Sequence, residues 1–311
     1  MLNVNTKKRK TNFLTPSGLR CLANLPTVNI SAGCAHNCVY CYSKGYSIYP
    51  GDNFVEVYEN MAARIADELT HKRKKPTAIY FCPSCDPFQP LPEIQHLTFE
   101  VMKIILENDI DVQFVTKGKI SKEIFDLFKK HSSKIAGQIG LISIDENILS
   151  IFEPNAANLS QRINQLKKLI EIGIKMSVRC DPMIHGITDT DEQLQKLFSM
   201  IAKTGCKEAA ISFLFLRPAI TASLKKHITN ISLLNKILEP FSKNVCLSIG
   251  IKNSTGIFLP VEIRKSAFEK ITKIAHNFGV ALHVCGCKNC DITSESCYIT
   301  RERENHPSQL F

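Results

Sequence analysis

The chain has 311 residues and a formal net charge of +10, from 39 Lys and Arg against 29 Asp and Glu. With 44% hydrophobic and 22% charged residues it can bury a sizeable core. No apolar run approaches the ~18 residues of a membrane span, which argues against a transmembrane helix. The N-terminus is polar and basic, without the apolar stretch of a secretory signal. A cytoplasmic location is therefore expected, and 13 cysteines then read as metal ligands or redox groups rather than disulfides.

The positive balance favours an anionic partner such as nucleic acid. Part of it lies in two runs, Lys7-Lys8-Arg9-Lys10 and His71-Lys72-Arg73-Lys74-Lys75. Residues 1–24 read as a flexible basic arm, 25–280 as the core domain and 281–311 as a Cys-rich segment. The second basic run falls where a helix should end, which suits the helix dipole.

In chain order, β-rich runs at 27–31, 77–81, 111–116, 138–144, 174–179, 208–215 and 245–250 alternate with amphipathic stretches. Those stretches are 54–72, 93–108, 120–131, 157–172, 189–204, 223–239 and 261–278. Ile163, Leu166, Leu169 and Ile170 recur at three- and four-residue steps, as one face of a helix does. Gly173 suits the position after that helix, and Asp189 and Thr190 suit the cap of the next. Strand–helix alternation predicts a parallel sheet with helices outside. Six or seven such units make an α/β fold, a partial, open TIM-type β/α barrel. Its chemistry would sit on loops at the C-terminal ends of the strands.

The loop after the first predicted strand carries Cys34, Cys38 and Cys41, spaced C-x3-C-x2-C. Three thiolates there suit three irons of a [4Fe–4S] cluster, leaving the fourth iron open to a small molecule. The competing reading is a zinc site completed by His36. Near the end, Cys285, Cys287, Cys290 and Cys297 fall within thirteen residues. They read as a metal-tied tail holding either a second [4Fe–4S] cluster or Zn.

The segment from Gly33 to Tyr42 reads G-C-x-H-x-C-x-Y-C-Y. Further along come SCDPFQPLPE (Ser84 to Glu93), Val115-Thr116-Lys117, Ser143-Ile144-Asp145, Glu153-Pro154 and the stretch from Asp181 to Asp189. This ordered series, over roughly residues 25–220, resembles the spore photoproduct lyase-like branch of the radical S-adenosylmethionine (SAM) superfamily, which includes proteins labelled DNA repair photolyases. It departs from that pattern at Cys85, where the branch has Thr, and at the inserted Pro92.

The resemblance implies an enzyme that reductively cleaves SAM at the cluster of Cys34, Cys38 and Cys41. The resulting 5′-deoxyadenosyl radical would abstract hydrogen from a substrate, expected to be nucleic acid. A low-potential donor of flavodoxin or ferredoxin type would supply the electron. Tyr40 would pack on adenine. Ser84 and Asp86, with Cys85 between them, stand where the branch holds the SAM amino group. Ser143 and Asp145 are candidates for the ribose hydroxyls, and Lys117 or Arg179 for the carboxylate, Arg being suited to a bidentate pair. Cys82 or Cys85 would return a hydrogen atom to the product radical, with Cys180 a further candidate. Cys21, Cys206 and Cys246 are expected to be packing residues.

Three alternatives stay open from sequence. They are radical modification of a peptide or small molecule, sulfur insertion into nucleic acid with an auxiliary cluster, and a zinc-ribbon nucleic-acid-binding protein without catalysis. Photon-driven repair is disfavoured, since there is no Trp for an electron-transfer chain and no recognisable flavin site.

Overall fold

The computed structural model describes residues 2–22, 25–249 and 254–295. Its strands are β1 (Asn3–Lys7), β2 (Thr15–Pro16), β3 (Pro26–Val28), β4 (Ser31–Ala32), β5 (Phe54–Tyr58), β6 (Ala78–Phe81), β7 (Asp111–Thr116), β8 (Ile135–Gly140), β9 (Lys175–Met183), β10 (Glu208–Phe213), β11 (Val245–Ile249), β12 (Ser254–Phe258) and β13 (Ala281–Val284). Its α-helices are α1 (Met61–His71), α2 (Pro92–Glu107), α3 (Lys122–Lys130), α4 (Glu146–Phe152), α5 (Leu159–Glu171), α6 (Asp191–Lys203), α7 (Pro218–His227), α8 (Ile231–Leu238) and α9 (Val261–Asn277).

The main sheet runs in the order β13-β10-β9-β8-β7-β6-β3-β2. Every pairing from β3 to β13 is parallel, and only the short β2 runs against its neighbour. The order does not close on itself, so the expected open β/α architecture stands. Each helical unit buries one apolar stripe on the sheet: α5 contributes Leu166 and Leu169, and α6 contributes Leu194, Leu197, Phe198 and Ile201. Local signals set the helix ends. Asn158 and Gln161 form a reciprocal capping box on α5. Thr190 caps α6 through the amide of Gln193. Gly173 follows α5 at φ +83°, as a C-terminal cap position requires.

Four expectations change. The basic arm is not loose: β1 pairs with β5 in parallel, and the Arg9 guanidinium sits 5.0 Å from the centre of the Phe13 ring. Residues 54–58, read as the start of a helix, form β5, where Val55 and Val57 are buried two residues apart on one face. Of the run predicted at 245–250, residues 245–249 form β11, which among the described residues pairs with β12 in a separate antiparallel ribbon rather than with the barrel sheet. The last sheet position goes to β13, inside the segment read as a Cys-rich tail.

Candidate active site

A three-stranded sheet, β1-β5-β4, stands beside the main sheet and launches the Cys34–Cys41 loop. Gly33 makes the turn at φ +77°. A Cβ there would come within 2.4 Å of the Phe54 carbonyl oxygen, so both the backbone angle and the close approach demand glycine. The loop is then stapled at both ends. The amide of Ala35 donates to Gln89 Oε1 at 2.8 Å, and the amide of Val39 donates to the Phe152 carbonyl at 3.0 Å. Asn155 Nδ2 donates to the Ala35 carbonyl at 3.1 Å.

Cys34, Cys38 and Cys41 all face one cavity at the C-terminal ends of the strands. The same cavity is lined by Tyr40, Cys82, Ser84, Cys85, Asp86, Lys117 and Arg179. The structure thus brings together most of the residues singled out in the sequence. Ser143 and Asp145 are not in that lining. Ser143 Oγ accepts from the Asp145 amide and meets Gln193 Oε1 at 3.1 Å, while Asp145 caps α4. Both are engaged in building the β8–α4 junction.

Asp86 is buried, and its carboxylate is the junction of three segments. It accepts from Thr116 Oγ1 at 2.7 Å, the Lys117 amide at 2.8 Å and the Phe88 amide at 2.8 Å. His36 Nδ1 lies 3.4 Å away. Burial alone would raise its pKa, but His36 and these hydrogen bonds outweigh burial and hold it below the usual carboxylate value. Asp86 therefore positions the Cys loop against the β7 end.

Tyr40 donates its hydroxyl to Glu153, which also pairs with the fully buried Arg162. Arg162 in turn donates to the Ala157 and Gly140 carbonyls at 2.6 and 3.1 Å. Lys117 Nζ lies 4.0 Å from the same carboxylate and 5.7 Å from the centre of the Tyr40 ring. Arg179 donates to Asp181 Oδ2 at 2.7 Å and to Gln138 at 3.3 Å. Tyr42 donates to the Pro83 carbonyl, tying the Cys loop to the 82–85 loop. Ser84 donates through both its amide and its hydroxyl to Asn29 Oδ1, at 3.0 and 2.8 Å.

Several positions that hold the cavity wall together were not singled out from sequence. Gln89, Glu153 and Asp181 lay inside quoted motifs, but nothing in the pattern separated them from their neighbours. Lys288 had no local signal at all. Its ammonium reaches both oxygens of Asp181 at 2.7 and 2.8 Å, and lies 5.9 and 5.5 Å from the Tyr42 and Phe215 ring centres. The segment carrying it is anchored by the buried Arg264, which donates to Asn289 at 3.0 Å and to both oxygens of Asp291.

Three of the four C-terminal cysteines fall within the described residues. Cys285 and Cys287 are buried and pack with Cys21, whose amide donates to Cys287 Sγ at 3.0 Å. Cys290 is exposed. Cys297 lies outside the described residues. Among the described residues, no three Cys, His, Asp or Glu side chains converge closely enough to hold one metal ion. A four-iron cluster takes its thiolates on separate iron atoms, so this distinction concerns single-ion sites.

Residues 28–201 match the family model described as the Radical SAM superfamily. The chain belongs to the radical SAM superfamily. Its members are enzymes, and membership implies a [4Fe–4S] cluster and SAM. The donor set fits such a group: three thiols on one pinned loop at the cavity wall, beside His36, whose Nε2 is buried with no hydrogen-bond partner among the described residues.

Among curated proteins, a Radical SAM Nalpha-GlyT isomerase of Pseudomonas phage M6 is 25% identical over 181 residues, 58% of this chain and 37% of the isomerase. An uncharacterized protein of Methanocaldococcus jannaschii is 29% identical over 168 residues, 53% of this chain and 62% of that protein. The chain thus matches less than two thirds of the length of either relative. Among solved structures, a spore photoproduct lyase variant with bound AdoMet and dinucleoside spore photoproduct superposes with a TM-score of 0.69. It is 15% identical and covers 90% of this chain and 81% of its own. SuiB of Streptococcus suis with bound S-adenosylmethionine gives 0.52 at 12% identity, over 84% and 51%. At those identities the likeness speaks to the fold. Among the described residues no helix is long and apolar enough to cross a membrane.

Proposed function

We propose that this radical SAM enzyme holds its cluster on Cys34, Cys38 and Cys41 and abstracts hydrogen from a nucleic-acid substrate at the barrel mouth. The observation that carries the reading is that these three thiols open on one cavity with Lys117, Arg179, Arg217 and Lys288. When bound, the cluster and SAM supply a 5′-deoxyadenosyl radical as the hydrogen-abstracting species.

The chain's own residues bind, orient and exclude water. Tyr40, its hydroxyl committed to Glu153, offers its ring as a wall for adenine. Ser84 receives the SAM amino group, since the Asp86 carboxylate already accepts from Thr116, Lys117 and Phe88. Lys117 or Arg179 pairs with the carboxylate. Cys82 or Cys85 returns a hydrogen atom to the product. The electron donor is a low-potential flavodoxin- or ferredoxin-type protein in a reducing cytoplasm.

Nucleic acid is favoured by the charge of the cavity wall, where four cations face two carboxylates, Asp86 and Asp181, and by the overall charge of +10. It also agrees with the dinucleoside bound to the spore photoproduct lyase neighbour. Fluorescence anisotropy with a labelled single-stranded deoxyoligonucleotide tests the substrate class. Binding should weaken as salt rises, and Lys288→Ala should reduce the log–log salt slope by about 1. Absence of binding, or binding indifferent to both salt and Lys288, would contradict a nucleic-acid substrate.

A further inference from the structure

Two thiols outside the Cys34–Cys41 loop face the same cavity. They lie three residues apart, in the sequence Cys82-Pro83-Ser84-Cys85. Cys82 follows the last residue of β6 and holds φ at +55°, a left-handed conformation that strains a residue with a Cβ. The turn is held in place nevertheless. The Cys82 amide donates to the Val28 carbonyl at 2.7 Å, and Tyr42 and Asn29 clamp Pro83 and Ser84. Both thiols are thus fixed on one clamped turn facing one cavity, with Cys85 Sγ 3.8 Å from Asn29 Oδ1. Cys82 is 1% exposed, whereas Cys85 is half-buried.

We propose that Cys82 and Cys85 form one dithiol–disulfide couple at the radical site, with Cys85 the thiol that meets substrate and Cys82 the thiol that resolves it. The proposal rests on the hydrogen-return role given above to one of these thiols, and assigns the two different tasks. Transfer of hydrogen from the Cys85 S–H forms a C–H bond on a substrate carbon radical and leaves the unpaired electron on Cys85 Sγ. The Cys82 S–H then gives its proton to solvent, and a three-electron bond forms between the sulfurs. Loss of one electron to the oxidised form of a flavodoxin- or ferredoxin-class carrier leaves the disulfide. An external dithiol, itself oxidised to a disulfide, restores both S–H groups.

The environments suit that division. Burial pushes the Cys82 thiol up. It acts on Cys85 in the same direction, but hydrogen bonds from Cys82 and Ser31 outweigh it and hold Cys85 below its ordinary value. The more accessible thiol is thus the more readily ionised one, as exchange with an outside disulfide requires.

The test uses the full chain with its cluster reconstituted anaerobically, so that the cluster ligands are protected. The protein is equilibrated with mixtures of oxidised and reduced dithiothreitol, alkylated and mapped by mass spectrometry. The expected result is an intramolecular Cys82–Cys85 disulfide, with both alkylation sites lost together. Cys85→Ser should leave Cys82 alkylatable at every ratio, and Cys82→Ser should leave Cys85 alkylatable or as a mixed disulfide. Wild-type protein that keeps both thiols at the most oxidising ratio would overturn the proposal. So would pairing of Cys85 with any cysteine other than Cys82. This readout does not depend on SAM cleavage, so a failure of the radical reaction and a failure of the couple are told apart.

Discussion

Glu153 shows what one residue can hold together. Its carboxylate is 3% exposed and joins Tyr40 of the Cys loop to Arg162 of α5, itself 1% exposed. Removing one partner of such a buried pair strands the other charge, at about 3–5 kcal/mol. Glu153→Ala should therefore lower the urea midpoint by that equivalent with an unchanged m-value, and an unchanged midpoint would show that Arg162 finds another partner. The Glu153-Pro154 pair was visible in the sequence, but its role was not. Arg162 looks like any basic residue on an amphipathic helix, and only the packing brings the two together. By contrast, Cys34, Cys38 and Cys41 were singled out by their spacing on one local loop, and all three line one cavity.

Two glycines and one ion pair carry testable consequences at the level of elements. A Cβ on Gly118 would lie 1.9 Å from the Phe88 carbonyl oxygen, backbone against backbone, so Gly118→Ala must displace a loop that carries Asp86. On Gly140 the obstacle is the flexible Lys117 side chain, with Cγ at 2.7 Å. Gly118→Ala should thus lose several degrees of Tm, while Gly140→Ala should fold and weaken SAM binding by moving Lys117. Circular dichroism melts and calorimetric titration separate the two outcomes, and equal melts would refute the contrast.

The Arg264–Asp291 pair holds the segment that presents Lys288. Hydrogen bonding to Arg264 depresses the Asp291 pKa below its ordinary 3.8, against the opposing effect of partial burial. Its contribution is present in full above that value and is lost as pH falls through the lower, folded-state value. The stability gap between wild type and Asp291→Asn should be constant near neutrality and shrink as pH falls below about 3.8. A gap that grows on acidification would contradict the sign.

Element boundaries were less legible than element types. β7 was predicted at its observed bounds. β8 ends at Gly140, although Leu141 and Ile142 continue the apolar run; both are fully buried as loop, covering the core outside the sheet. The run at 245–250 has the composition of a barrel strand, but it pairs with β12, and nothing local distinguishes a ribbon from a barrel strand.

At the level of the whole molecule, alternation of strands and helices sufficed for the open parallel sheet, because each unit follows from neighbouring residues. What alternation could not show was closure of the cavity by distant chain. Lys288 meets Asp181 across 107 residues, and Cys21 meets Cys287 across 266. Those contacts depend on β13 taking the edge beside β10, a tertiary outcome. They bring the end of the described chain back to the mouth where the cluster ligands open.

This mouth is proposed to be a radical SAM centre held by Cys34, Cys38 and Cys41. The most direct measurement is iron content and 5′-deoxyadenosine formation by anaerobically reconstituted protein with dithionite and SAM, beside a variant with those three cysteines changed to Ala. The wild type should hold at least four irons per chain and form 5′-deoxyadenosine from SAM, and the variant should lose about four irons and the product together. Wild-type protein that takes up zinc without iron, or a variant that still cleaves SAM, would contradict it.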